Sequence, residues 1–264
     1  MLANLGSRRA VVLRVYQTEH GISRKVCQAF AEGSGGQLAS PTRLLDGPAA
    51  TYGILRGTSE VLLECERLGR EFYYVDHGYF RPSDHARGDF SGYYRVTCRG
   101  YQVDGSGDHS SARWSKLGIR MRPWRTDGRH VLVFPMSYNV AVHRGLDPKA
   151  WLRETVAEVA RYTDREVVVK PKSSDLTLAE ALRDAWCVVG HETTALIGAV
   201  VAGVPAFVLG DSAARAVGCG DLSRIEDPVR LPRRQWACNL AANQWTLDEF
   251  RDGTAWRELQ ETKE

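Results

Sequence analysis

The sequence predicts an α/β protein made of two Rossmann-like halves facing a cleft. Three stretches predict it. Trp186 to Gly210, WCVVGHETTALIGAVVAGVPAFVLG, reads as an apolar run, a polar turn, a helix, a second turn and another apolar run. That alternation describes a parallel βαβ unit. AVVLRVY at Ala10–Tyr16 reads as a strand that runs through a short polar loop into a helix over Arg24–Glu32. EVVVK at Glu166–Lys170 lies between two helical patterns, as a strand of a second α/β half would.

Taken in order, the first half opens with that strand, and Ser23 is placed to cap its helix, which stops at Gly33-Ser34-Gly35-Gly36. Thr51–Leu55 is the next strand, Glu60–Leu68 the next helix, and Glu71–Val75 a third strand running into Asp76-His77-Gly78-Tyr79-Phe80. Phe90–Thr97 and Gln102–Asp104 have the pattern of a hairpin. The second half starts at His130, with a strand over Val131–Phe134. Pro148 then begins a helix, Lys149–Tyr162, with Trp151, Val156, Val159 and Ala160 on one stripe. The strand at 166–170, a short helix over Leu178–Arg183 and the Trp186–Gly210 unit follow. A last helix, Thr246–Leu259, is expected to lie across both halves. The domains are read as 1–129 and 130–264.

Composition bounds the function. The chain has 264 residues, 43% hydrophobic and 25% charged, with a formal net charge of +3, an ordinary globular balance. No apolar run reaches the roughly 18 residues of a membrane span, and the four apolar residues after Arg8-Arg9 are too short a run for a signal peptide. The six cysteines are scattered without a CxxC pair, as thiols in a reducing cytoplasm would be; they suggest neither a disulfide framework nor a zinc site. There is no GxxxxGK[ST], no GxGxxG after a strand, no HExxH and no acidic pair for a metal–nucleotide site.

The candidate chemistry lies at strand ends. The start of the helix after Gly190 leaves backbone N–H groups unpaired and carries partial positive charge, so with the Thr193 and Thr194 hydroxyls it suits a phosphate; simple helix capping by either threonine fits as well. Lys170 and Lys172 end the preceding strand and converge on the same anion if the two strands are parallel neighbours. In the first half, Asp76 and His77 follow a buried strand, as a catalytic base would. Successive residues of a strand point to opposite faces, so one of the two reaches the cleft. Glu19, His20, Ser23, Arg24 and Lys25 occupy the loop and helix start after the first strand, where such folds bind ligands. From 113 to 129 the chain carries Arg113, Lys116, Arg120, Arg122, Arg125 and Arg129 against Asp127 alone, with Trp114 and Trp124 between them. Cations among aromatics suit a polyanion with exposed bases or sugars; a solvated inter-domain segment has the same composition.

The segment Gly190-His191-Glu192-Thr193-Thr194, then Ala199 and Gly203-Val204-Pro205, resembles the nucleotide-binding half of GT-B glycosyltransferases. In that family a small polar turn and an Ala/Gly-rich helix lead to Gly-[Val/Ile]-Pro. The resemblance covers roughly 130–210, and the first half only by order of elements. The DHGYF…YYRVT segment and 244–256 are similar to small phage-encoded glycosyltransferase-like proteins, several associated with adding sugar to hydroxymethylated pyrimidines in DNA. The resemblance implies a metal-independent transferase using a nucleotide-sugar, such as a UDP-sugar, with no further cofactor. It implies a diphosphate held by Thr193, Thr194 and Lys170 or Lys172, with His191 and Glu192 in the same turn and Asp211 on the ribose. It implies an acceptor hydroxyl deprotonated by Asp76, Glu19 or His77. The implied acceptor is hydroxymethylpyrimidine DNA in a phage-infected host cytoplasm, contacted by Arg24, Lys25, Arg113, Lys116, Arg120, Arg122 and Arg125. A surface polysaccharide acceptor, or a nucleotide- or DNA-binding protein without catalysis, are the alternatives.

Overall fold

Short β-branched runs separated by amphipathic helices assemble into two sheets, each built on parallel strands, in the computed structural model, which describes residues 12–261. The beginning of the first expected strand, at 10–11, lies outside the described residues. In chain order the first elements are β1 (Arg14–Tyr16), α1 (Gly21–Ser34), β2 (Gln37–Ala39), β3 (Ala49–Tyr52), α2 (Thr58–Arg67), β4 (Phe72–His77) and β5 (Tyr94–Cys98). They are followed by α3 (Ala112–Leu117), β6 (His130–Val133), α4 (Tyr138–His143), α5 (Pro148–Val159), β7 (Glu166–Val169), α6 (Leu178–Ala181), β8 (Ala185–Gly190), α7 (Thr194–Val201) and β9 (Ala206–Val208). The last are α8 (Arg234–Ala242), β10 (Gln244–Trp245), α9 (Leu247–Arg251) and α10 (Thr254–Glu261). No helix among the described residues is long and apolar enough to cross a membrane.

The chain divides into two units, though not at 129. One holds the described residues up to Asp76, then Ser83–Gly100 and Trp245 onward; the other holds His77–Pro82 and Tyr101–Gln244. The sheet of the first has the order β10-β5-β4-β3-β1-β2 and that of the second β7-β6-β8-β9. Within them β1, β2, β3 and β4 run parallel, as do β6, β7, β8 and β9. Each unit therefore starts the same way. Its first strand sits between its second and its third, so strand order reverses there. Open α/β sheets bind ligands at the carboxyl ends of the strands at such a reversal.

In the first unit α1 buries Ser23, Val26, Cys27 and Phe30, an i, i+3, i+4, i+7 stripe. Gly35, with φ 66°, ends it in the left-handed conformation. Gly33 serves a different purpose. A Cβ there would fall 1.8 Å from the Phe250 carbonyl oxygen, because the backbone after α9 runs against α1. Gly253, with φ 78°, turns the chain at this contact and divides the single helix expected over 246–259 into α9 and α10. Both helices belong to the first unit: Phe250 packs edge-on to Phe30 at 5.3 Å, and Trp256 lies 5.0 Å from Tyr73. Gly33→Ala is expected to destabilise the protein by about 1–3 kcal/mol, since backbone must yield; a urea midpoint equal to wild type would contradict the close approach.

The expected hairpin over 90–104 does not form. Tyr94–Cys98 inserts between β4 and β10, a partner supplied by the far end of the chain. β2 escapes pattern reading because it is an exposed edge strand with one large apolar residue, Leu38.

In the second unit Asp147 caps α5 through the Lys149 and Ala150 amides, with Pro148 at the first helical position. Val131, Val133, Cys187, Val189 and Phe207 form the core of this sheet. The basic, tryptophan-rich segment is fixed to this unit. Arg122 N–H donates to Val201 and Arg125 N–H to Gly203, both at 3.0 Å or less, at the end of α7. Gly203, φ 86°, is required there because a side chain would strike the Pro123 carbonyl.

Candidate functional site

β6 and β8 are the neighbours at the reversal of the second sheet. Beyond β6, Ser137 accepts from the Val140 amide and starts α4, which ends at Arg144. Beyond β8, Gly190 leads into His191-Glu192-Thr193 and α7. The two loops meet through Arg144. Its Nε donates to Glu192 Oε1 at 2.8 Å and its Nη2 to Glu192 Oε2 at 3.1 Å. The same Nη2 donates to Asp211 Oδ2 at 3.2 Å, so the loop after β9 joins them. The guanidinium also lies 4.6 Å from the centre of the Tyr101 ring.

Burial and neighbouring charge oppose each other in this trio. The Glu192 side chain is 8% exposed. Burial pushes its pKa up, but His191 and Arg144 beside it outweigh that, and it lies below the usual carboxylate value. Asp211 goes the other way: burial and then the Glu192 charge raise it against the pull of Arg144. Two carboxylates around one guanidinium suit the hydroxyls of a sugar or ribose, and they disfavour a phosphate placed directly on them.

His191 is held flat. Its ring lies where a Cβ on Gly210 would be, 2.3 Å from Cε1, and stands edge-on to Trp151 at 6.0 Å. Thr193 is the cap of α7, its hydroxyl accepting from the Ala195 amide at 3.2 Å; Thr194 is exposed at the first helical position. The capping role anticipated as one option for these threonines thus falls to Thr193. Lys170 ends β7, on the same sheet edge but with β6 between it and β8, about 10 Å away by two strand spacings. Its Nζ donates to Ser174 Oγ at 2.9 Å, and Lys172 is exposed. The two lysines and the threonine turn therefore share an edge without being neighbouring strands.

In the first unit Asp76 is the carboxylate embedded in structure. Its Oδ2 accepts from Arg95 Nη2 at 2.7 Å and from the Tyr74 hydroxyl at 2.9 Å, with the Arg95 side chain 4% exposed. Burial and the Asp76 charge together push the Tyr74 hydroxyl far up, so it stays a donor. Next to this group His85 Nε2 lies 2.8 Å from the Tyr94 hydroxyl and its Nδ1 3.5 Å from that of Tyr52. His77 is half-buried at the end of β4. Glu19 is 95% exposed and paired with Arg24, a solvated loop carboxylate. Lys25 stands over the Phe90 ring at 4.1 Å, and His20 begins α1 without a side-chain cap.

Of the proposed nucleic-acid contacts, Lys116, Arg120 and Arg122 are exposed and Arg113 half-buried. Arg125 is engaged internally, its Nη1 donating to the Leu182 and Ala185 carbonyls at 2.6 and 3.1 Å. Arg144, Tyr74 and Tyr52 carry no motif in the sequence, and Arg95, within the YYRVT segment, is not singled out there as a site residue. Only a strand order placing 144 beside 192 singles out Arg144.

No family model matches the sequence, and no curated protein matches it. Among solved structures, the KpsC β-Kdo 2,4-transferase of Thermosulfurimonas dismutans aligns over 85% of this chain and 89% of its own, at 10% identity and a TM-score of 0.52. The KpsC β-Kdo 2,7-transferase of the same organism aligns over 94% of this chain and 99% of its own, at 14% identity and a TM-score of 0.53. At these identities the likeness is one of fold, and the α/β architecture expected from the sequence is the architecture this chain shares with two glycosyltransferases.

Proposed function

We propose that the protein is a glycosyltransferase that takes a sugar from a nucleotide-activated donor and passes it to an acceptor hydroxyl without a divalent metal. One observation carries this reading: Arg144 ties Glu192 and Asp211 together at the strand-order reversal of the second unit, where α/β sheets hold nucleotides. The fold likeness to two Kdo transferases supports it. On this reading Glu192 and Asp211 accept hydrogen bonds from ribose or sugar hydroxyls, and Arg144 orients both. Thr194 at the open start of α7, with Lys170 and Lys172 on the same edge, are the groups available to a diphosphate, whose charge grows as the glycosidic bond breaks. Asp76 takes the acceptor proton; Glu19 is too solvated to be preferred, and His77 is the alternative.

A saccharide hydroxyl is the acceptor we favour, because both neighbours are named as Kdo transferases. The hydroxymethylpyrimidine of DNA rests on the 113–129 cations, from which Arg125 is withdrawn. The test is incubation with UDP-, GDP- and CMP-activated sugars, with and without EDTA. Oligosaccharides, hydroxymethylcytosine DNA and unmodified DNA serve as acceptors, and products are read by mass spectrometry. Transfer to an oligosaccharide is the expected result. Transfer confined to modified DNA replaces the acceptor. Binding of donors without transfer or hydrolysis to any acceptor would leave a non-catalytic nucleotide-binding protein.

A further inference from the structure

Within the second unit the segments 121–124 and 230–234 enclose an open groove of about 590 Å³. Trp124 is tied across it, its Nε1 donating to the Leu231 carbonyl at 3.0 Å. Arg233 lines the groove and is only 6% exposed, its guanidinium stacked 3.6 Å from the centre of the Trp124 ring. One hydrogen bond holds it, from Nη2 to the Arg122 carbonyl. Nε and Nη1 have no hydrogen-bond partner, and no carboxylate lines the groove. Burial alone pulls this guanidinium down to about 10, with no acidic neighbour to raise it. A buried cation without a counter-ion is costly unless a ligand supplies one.

A second feature points to the same spot. Arg233 is the residue before α8, a nine-residue helix, and its side chain makes no cap bond. The first N–H groups of that helix and its positive end therefore adjoin the buried charge. Arg122 and Arg234 stand exposed at the rim, and Trp114 adds a second indole to the wall.

We propose that this groove binds an acidic saccharide, with a carboxylate at the start of α8 beside Arg233 and the sugar ring along the indole-lined wall. Tryptophan offers a flat apolar face to the C–H side of a sugar ring, and arginine with a helix N-terminus suits one localised oxyanion. A nucleic acid would call for a track of cations meeting successive phosphates, whereas here one buried charge dominates. The site is separate from the Arg144 cluster in its residues, and its occupancy is independent of glycosyl transfer.

Isothermal titration of the full chain tests it, with trigalacturonate, maltotriose, inorganic phosphate and a thymidine hexanucleotide as probes and no donor present. Trigalacturonate is expected to bind at least tenfold more tightly than maltotriose or phosphate, and Arg233→Met is expected to erase that preference. The variant's melting temperature should hold or rise, since an uncompensated charge is removed. Should Arg233→Met fail to fold, the double variant Arg122→Gln/Arg234→Gln, at exposed positions, is expected to weaken trigalacturonate at least fivefold. Equal binding of trigalacturonate and maltotriose, equal binding of phosphate alone, tighter binding of the oligonucleotide, or an unchanged preference in both variants would each overturn the proposal. These outcomes say nothing against transfer, so the two readings stand or fall separately.

Discussion

Arg144→Met is expected to destabilise the protein by about 3 kcal/mol at neutral pH, because breaking a buried ion pair by removing one partner leaves the other charge uncompensated. Here the loss is compounded. Arg144 also serves the half-exposed Asp211, and without it the Glu192 and Asp211 charges repel between the loops after β8 and β9 with no guanidinium between them, a smaller and solvent-screened part of the loss. The pH dependence has a definite sign. Glu192 is held below its ordinary pKa in the native protein, so its contribution is present above the unfolded carboxylate pKa and fades as pH falls through the lowered native one. Asp211 is raised, so it costs stability while ionised, and that cost is relieved on acidification through its raised pKa. In Arg144→Met both groups move up, and the deficit against wild type should be largest at neutral pH and shrink as the carboxylates protonate. Urea titrations at several pH values measure this. A deficit independent of pH would show that Arg144 acts through packing on Tyr101.

Asp76→Asn is expected to lower the rate of transfer by about 10²–10⁴, the range of a general base. The amide keeps the shape of the carboxylate and can still accept from Tyr74 and Arg95, but takes no proton. Because Arg95 is buried on this one carboxylate oxygen, some loss of stability will accompany the change. Circular dichroism melts must therefore be read beside the kinetics. A large fall in kcat with KM near wild type and a retained fold supports the base; a fall in melting temperature with near-normal turnover assigns Asp76 to holding Arg95 in place. The same carboxylate oxygen also anchors Arg95, so the expected rate loss is a severe test of the proposed role.

Much of the fold was legible in the chain. The apolar run before Gly190, the Ala/Gly-rich helix and Val204-Pro205 form the βαβ unit that the pattern predicts, with α7 beginning at Thr194, because His191 and Glu192 belong to the turn. Pro148 marks the start of α5 in the sequence, and the structure adds Asp147 as its cap. By pattern Gly33 is helix punctuation and Gly253 helix interior; their purpose is a close backbone contact that has no local signature. The loop after β8 is a candidate site on its sequence, yet its electrostatics are not legible there. Thr193 and the two lysines suggested an anion cradle, whereas the buried partner of Glu192 is an arginine 48 positions away.

What the sequence determined by itself is the alternation of strands and helices and the parallel βαβ units, since these follow from hydrophobic period and neighbouring residues. The cap expected at Ser23 does not form, because α1 starts at Gly21 and the Ser23 hydroxyl, inside that helix, accepts from the Thr18 N–H. What only the tertiary structure decided is which strand ends adjoin. By seating β6 between β7 and β8 it set Lys170 one strand outward and brought Arg144 onto Glu192 and Asp211. Strand order is settled by the packing of whole elements, a collective energy that no local pattern encodes, and that order selects which polar side chains become partners.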